Sequence, residues 1–199
     1  MATGTRARLL ERAADFVLEQ GLAQATLRPL ARAAGTSDRM LVYHFGGKDR
    51  LVAEVLDLLA QRLADLLAAA LPGPPAADAW DELPRLLALL RAPEAQGYGR
   101  LWLDILARAA RGEPGFGEAA GRIMDLFLDW LVRRQPPGAA EARGTAAAML
   151  TLVEGALVME AAGRRATAEE ALARLAAVWG AGWLGSGASG AGSWSGCVR

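Results

Sequence analysis

The chain has 199 residues, enough for one good core or for two small ones sharing a long helix. It is 53% hydrophobic and 6% aromatic, rich in the helix formers Ala, Leu and Arg, and its formal net charge is zero, so no global field marks a polyanion binder. One cysteine, Cys197, excludes an intramolecular disulfide framework; with no long uninterrupted apolar run and no N-terminal apolar signal core, the composition points to a soluble, cytoplasmic, all-α protein with no membrane partner.

A first helix is predicted from about Thr5 to Gln20. Leu9, Leu10, Ala13, Phe16 and Val17 recur at three- and four-residue spacing, and Gly21 supplies the stop. In the following "ATLRPLARAAG", Thr26 stands at an N-cap, Pro29 falls in the first turn where a missing N–H costs little, and Gly35 closes a short helix. After "GTS", Ser37 caps a third helix, Asp38 to about Phe45, with Asp38 favourably placed against the helix dipole. Leu41 and Phe45 are its core-facing residues, with Val42 alongside. Gly46 and Gly47 break it, and a long helix runs from Lys48 to about Leu71, with Leu51, Val55, Leu58, Leu59, Leu63 and Leu66 among its apolar positions.

"PGPPAAD", residues 72–78, is the clearest internal break. Beyond it, helices are predicted at about 79–91, 95–111, 117–134, 139–163 and 167–184, followed by a Gly/Ser tail, 185–199. The domain reading is therefore 1–50 plus a connecting helix 48–71, then 72–184, then the tail.

Two short helices joined by a Gly-containing turn, the second capped by Ser, describe a helix-turn-helix. In that motif the N-terminal residues of the second helix meet base edges in the major groove of double-stranded DNA. Here these are Ser37, Asp38, Arg39 and Met40. Arg39 can pair bidentately with guanine; Asp38 can accept from cytosine N4, serve only the helix dipole, or orient Arg39. Arg28 can reach a base or a phosphate, and Thr26 lies where outward amides favour phosphate. Tyr43, His44 and Lys48 then clamp the backbone at the other end; His44 and Lys48 are the only histidine and the only lysine of the chain. Residues 1–50 carry eight Lys or Arg against five Asp or Glu, a net of +3 that agrees with this in sign.

Through Thr26, Leu30-Ala31, Ala34-Gly35, Leu41, His44-Phe45, Lys48 and Leu51, residues 6–57 resemble the DNA-binding signature of the TetR family of bacterial transcriptional regulators. Two positions depart from the family pattern. Val42 stands where the family most often has tyrosine, with Tyr43 next to it, and Gly47 stands where it has serine. The resemblance implies a homodimer acting on a palindromic operator, a repressor released by a small-molecule effector, with the second half of the chain as ligand-binding and dimerisation domain.

That half carries no signature. Trp102, Ile105, Leu106, Met124, Phe127, Trp130 and Met149 are the candidates for an apolar ligand pocket, with Asp104, Asp129 or Glu154 as its polar group. Val153 and Leu157 on one helix, and Leu172, Leu175, Trp179 and Trp183 on the next, are the candidate dimer interface, two helices per subunit forming a bundle. Other readings are a helical protein-interaction module, or an enzyme using His44 as general base with Asp38 or Asp49. The enzyme reading lacks a nucleophile and an oxyanion stabiliser beside that histidine. A metal site lacks ligands, since one His and one remote Cys close no zinc shell, and no cofactor is called for.

Overall fold

The computed structural model describes residues 2–72, 79–136, 139 and 141–182, except for the side chains of 2–4, 79–81, 176 and 178–182. Every element among them is helical: α1 Ala2–Gln20, a 3-10 turn Leu22–Gln24, α2 Leu27–Ala34, α3 Asp38–Phe45, α4 Lys48–Ala70, α5 Ala79–Leu90, α6 Pro93–Ala110, α7 Phe116–Arg133, α8 Ala142–Ala161 and α9 Arg165–Gly182. The chain divides into two compact units, Met1–Glu154 and Gly155–Arg199. Most of the predicted break lies outside the described residues, as does the predicted tail.

The helix ends follow from local chemistry. α2 stops at Gly35, whose φ of 71° is left-handed, with Gly35 N–H bonded to Arg32 O at 3.1 Å and Thr36 N–H to Ala31 O at 2.9 Å. Ser37 Oγ accepts the Met40 N–H at 3.3 Å and so caps α3, as expected. Thr26 holds the N-cap position of α2, yet its side chain makes no capping bond. α3 ends at Gly46, again left-handed, and Gly47 is the N-cap of α4.

In the first unit, a single apolar core joins α1–α4 to α6 and α7. Leu9, Ala13, Val17, Leu30, Leu41, Phe45, Leu51 and Val55 continue into Leu59, Leu101, Ile105 and Ile123 without a break. α4 carries this continuity because it packs against α1 and α3 and also against α5, α6 and α7. Its buried stripe is Leu51, Val52, Val55, Leu56, Leu59, Ala60, Ala64 and Leu67. The predicted Leu58, Leu63 and Leu66 flank that stripe, half-buried. On α3, Leu41 and Phe45 are buried as expected, but Val42 is 42% exposed. Val42 lies about 100° around the helix from Leu41, at the edge of the face that Leu41 and Phe45 bury.

α8 differs from the other helices. Its 20 residues have a hydropathy of 1.3 over the best window, enough by length and composition to cross a membrane, and only 22% of that window is buried.

Candidate nucleic-acid interface

The short α2, the turn at Gly35–Ser37 and α3 form a helix-turn-helix set on α1 and α4. Burial of Leu41 and Phe45 turns the opposite face of α3 outward. Thr26, Arg28, Ser37, Asp38, Arg39, Met40, Tyr43 and Lys48 are all exposed. Among the described residues four large hydrophobic side chains are exposed, and three of them lie on α3: Met40 at 40%, Val42 at 42% and Tyr43 at 77%. Arg39 and Tyr43 are one turn apart and share the outward face, with Met40 beside them.

His44 is half-buried, with ring centroids 5.2 Å from Tyr43 and 6.4 Å from Phe45 in edge-on arrangements. Lys48 Nζ lies 3.4 Å from its exposed neighbour Asp49, a contact that restrains it little.

Two arginines of α1 that the sequence reading passed over tie the motif together. Arg12 Nη1 donates to Ala34 O, at the end of α2, at 3.3 Å. A Cβ on Gly35 would come within 2.7 Å of that same nitrogen, the movable end of a long side chain, so it is the left-handed turn that requires the glycine. Arg6 Nε donates to His44 O at 3.1 Å, its Nη2 meets both Glu54 oxygens at 2.6 Å, and its guanidinium lies 4.5 Å from the Phe45 ring centroid. These partners are 38 and 48 residues from Arg6, beyond the reach of local periodicity.

The base of α4 faces the corner between α6 and α7. A cleft of about 260 Å³ there is lined by Leu22, by Lys48, Val52 and Leu56 of α4, and by Phe116 and Ala119 of α7. Arg108 braces the corner through Asp104 at 2.9 Å and Glu113 at 3.0 Å. Hydrogen bonding from Arg111, with the charges of Arg111 and Arg108, holds the Glu113 carboxyl below its ordinary value. Arg122 of α7 pairs with Asp57 of α4 at 3.1 Å.

Of the pocket candidates, Ile105 belongs to the core, while Trp102, Leu106 and Phe127 pack against it half-buried. Met124 is half-buried, Trp130 is buried under the Arg134 guanidinium at 5.8 Å, and Met149 is buried with its Sδ 3.7 Å from Gln135 Nε2. Trp102 Nε1 donates to Glu154 at 2.6 Å, and burial raises that carboxyl above its ordinary value, partly offset by this hydrogen bond. Among the interface candidates, Val153 is buried and Leu157, Leu172 and Leu175 are half-buried. The Trp179 side chain and Trp183 lie outside the described residues. Among the described residues no three His, Cys, Asp or Glu converge on a possible metal position.

Residues 9–55 match the family described as bacterial regulatory proteins, tetR family. A helix-turn-helix-type transcriptional repressor of Mycobacterium tuberculosis is 35% identical over 82 residues, a stretch covering 41% of this chain and 44% of that repressor. The chain thus spans less than half the length of the curated relatives it matches. Among solved structures, a transcriptional regulator from Rhodococcus sp. is 25% identical with a TM-score of 0.61, over 84% of this chain and 91% of that one. The multidrug binding protein EbrR, complexed with proflavin, is 26% identical with a TM-score of 0.61, over 86% of this chain and 99% of that one.

Proposed function

We propose that this chain, whose residues 9–55 match the tetR family of bacterial regulatory proteins, is a member of that family and a sequence-specific DNA-binding transcriptional regulator. In this reading it is a cytoplasmic repressor that leaves a palindromic operator when a small apolar or amphipathic effector binds.

The observation that carries this reading is the outward face of α3, where Arg39, Met40 and Tyr43 stand exposed over a buried Leu41 and Phe45. An exposed arginine beside exposed apolar groups suits a major-groove floor of guanine acceptors and thymine methyls. Arg39 reads guanine, Ser37, Asp38 and Met40 meet neighbouring base edges, and Thr26, Arg28, Tyr43, His44 and Lys48 hold the phosphates. Tyr43 takes over the phosphate contact of the family's usual tyrosine, because Val42, although exposed, has no hydroxyl to donate.

The effector sits among Trp102, Ile105, Leu106, Met124, Phe127, Trp130 and Met149, with Glu154 as the polar group. The likeness to EbrR, whose complex holds proflavin, supports an aromatic, amphipathic ligand. Residues 1–50 are the DNA-binding domain, the helix from Lys48 is the connector, and 72–184 bind ligand and dimerise. Two subunits set their α3 helices one DNA turn apart, about 34–36 Å, or at the longer spacing of a longer operator.

Selection of duplexes from a randomised library by the purified protein tests this directly. Enrichment of a palindrome whose retention falls steeply with salt is the expected result. Failure to retain any duplex at low salt would overturn it.

A further inference from the structure

Resting on the DNA-binding reading, we infer that Arg6 is a positioning residue for base recognition: it fixes the C-terminal end of the recognition helix against the connecting helix. α3 is only eight residues long. Its apolar anchors, Leu41 and Phe45, hold it down through contacts that have no preferred direction, so they resist lifting better than they resist rolling or sliding. Base readout depends on direction, since a bidentate arginine–guanine pair tolerates little misplacement. The helix therefore needs a directional tie to a neighbouring element. The Ser37 Oγ cap at the N-terminal end only closes the helix's own first turn on Met40 N–H and ties it to no other element.

At the other end that tie is Arg6. His44 O accepts from Arg6 Nε at 3.1 Å, and the Phe45 ring lies 4.5 Å from the same guanidinium. Both oxygens of Glu54, in the second turn of α4, accept from Nη2 at 2.6 Å. One rigid planar cation thus holds a backbone carbonyl and a ring of α3 and a carboxylate of α4. A cation at the C-terminal end of α3 is also favoured by the helix dipole. The Arg6 and Glu54 side chains are 39% and 29% exposed, so solvent weakens their mutual attraction. What the pair provides is orientation, through a fork of fixed geometry that lysine cannot reproduce. Arg6 precedes residues 9–55, so the family match is silent about it.

The test compares binding of the full chain to the duplex selected by the unaltered protein and to a scrambled duplex of equal length. Arg6→Ala should lower affinity for the selected duplex about tenfold, the loss of a charge-assisted hydrogen bond's worth of order. Binding to the scrambled duplex should change less than about twofold, with the salt dependence intact, because phosphate contacts remain. Arg6→Lys should recover only part of the loss, and Glu54→Gln should cause a smaller loss in the same direction. Equal losses on both duplexes, with the salt slope reduced by about one, would make Arg6 a phosphate contact instead. Full recovery by Arg6→Lys would reduce its role to charge alone, and undiminished discrimination in Arg6→Ala would remove it; either overturns the inference. Should Arg6→Ala fail to fold in a thermal melt, Glu54→Gln decides, because an unchanged ratio of selected to scrambled binding in that variant also overturns it. If the unaltered protein retains no duplex, it is the regulator reading that has failed, and the role of Arg6 in recognition falls with it.

Discussion

Lys48 and Arg39 are both exposed cations, and the proposed function gives them different work. Lys48 is the first residue of the connecting helix, where the amides of the first turn also favour anions, and its Nζ lies 3.4 Å from the exposed Asp49. Arg39 lies on the outward face of α3, where base edges rather than phosphates come within reach. Lys48→Ala should weaken binding to every duplex alike and lower the slope of log affinity against log salt by about one. Arg39→Ala should leave scrambled duplexes bound nearly as well and relax preference at one position per half-site, by about tenfold or more at that base. Titrations at several salt concentrations, on duplexes varied at single positions, separate the two. A Lys48→Ala variant with altered base preference and an unchanged slope would refute the clamp assignment. His44 shows how little a residue's rarity says about its chemistry. It is half-buried between the edges of Tyr43 and Phe45, and its backbone oxygen accepts the Arg6 Nε–H that ties α3 to α1.

Between elements, α6 and α8 are joined by the bond from Trp102 Nε1 to Glu154. Burial raises the Glu154 carboxyl above its ordinary value, so the folded chain keeps a proton there that the unfolded chain has already lost. Stability contributed by this group is therefore present at acid pH and lost as pH rises from about 4, the ordinary glutamate range, through the raised value. Glu154→Gln keeps an acceptor for the indole and should flatten that part of the dependence, read as unfolding midpoints across the acid-to-neutral range. A Glu154→Gln variant whose midpoint declines over the same range as strongly as the unaltered chain would place the effect elsewhere. This tie was only half legible in the sequence. Helices α1 to α4 were placed closely by glycine stops, the Ser37 cap and apolar spacing, because these signals act within one turn. Glu154 could be named as a polar group on an apolar helix, but not paired with Trp102, 52 residues away. Val42 was misplaced for a related reason: spacing shows that a residue can face the core, and only packing shows whether there is room. Arg6 and Arg12 carry no local signal at all, since their carbonyl partners are set by how α1 crosses the motif.

At the scale of the molecule, the question is what covers α8. A 20-residue helix of hydropathy 1.3 with 22% of its best window buried leaves apolar surface in water, and Val158 alone is 50% exposed. Leu157, Leu172 and Leu175 are half-buried within the single chain and have area left to give. In the proposed dimer, a second copy presenting the same surface about a two-fold axis would bury it. Dimerisation also matters to DNA binding, because once one half-site is bound the second domain meets its own at a high effective concentration, adding about 10²–10⁴ in affinity. Leu157→Glu should then leave a folded monomer by sedimentation. Such a monomer should lose about a hundredfold or more on a palindromic duplex while holding a single half-site as the unaltered chain does. Equal losses on both duplexes, or a dimer that survives the substitution, would move the interface elsewhere. The same arithmetic explains why an effector need do little. A factor of about 5–150 in operator affinity corresponds to about 1–3 kcal/mol of coupling, and a ligand reaches it by spoiling simultaneous engagement of two half-sites rather than by unmaking either one. In the first unit the mechanical route is short, since α4 is bonded to α7 through Asp57 and Arg122 and begins at Lys48 itself. Under the proposed function, an effector that shifts α7 would displace the connecting helix, and with it Lys48, the proposed backbone contact.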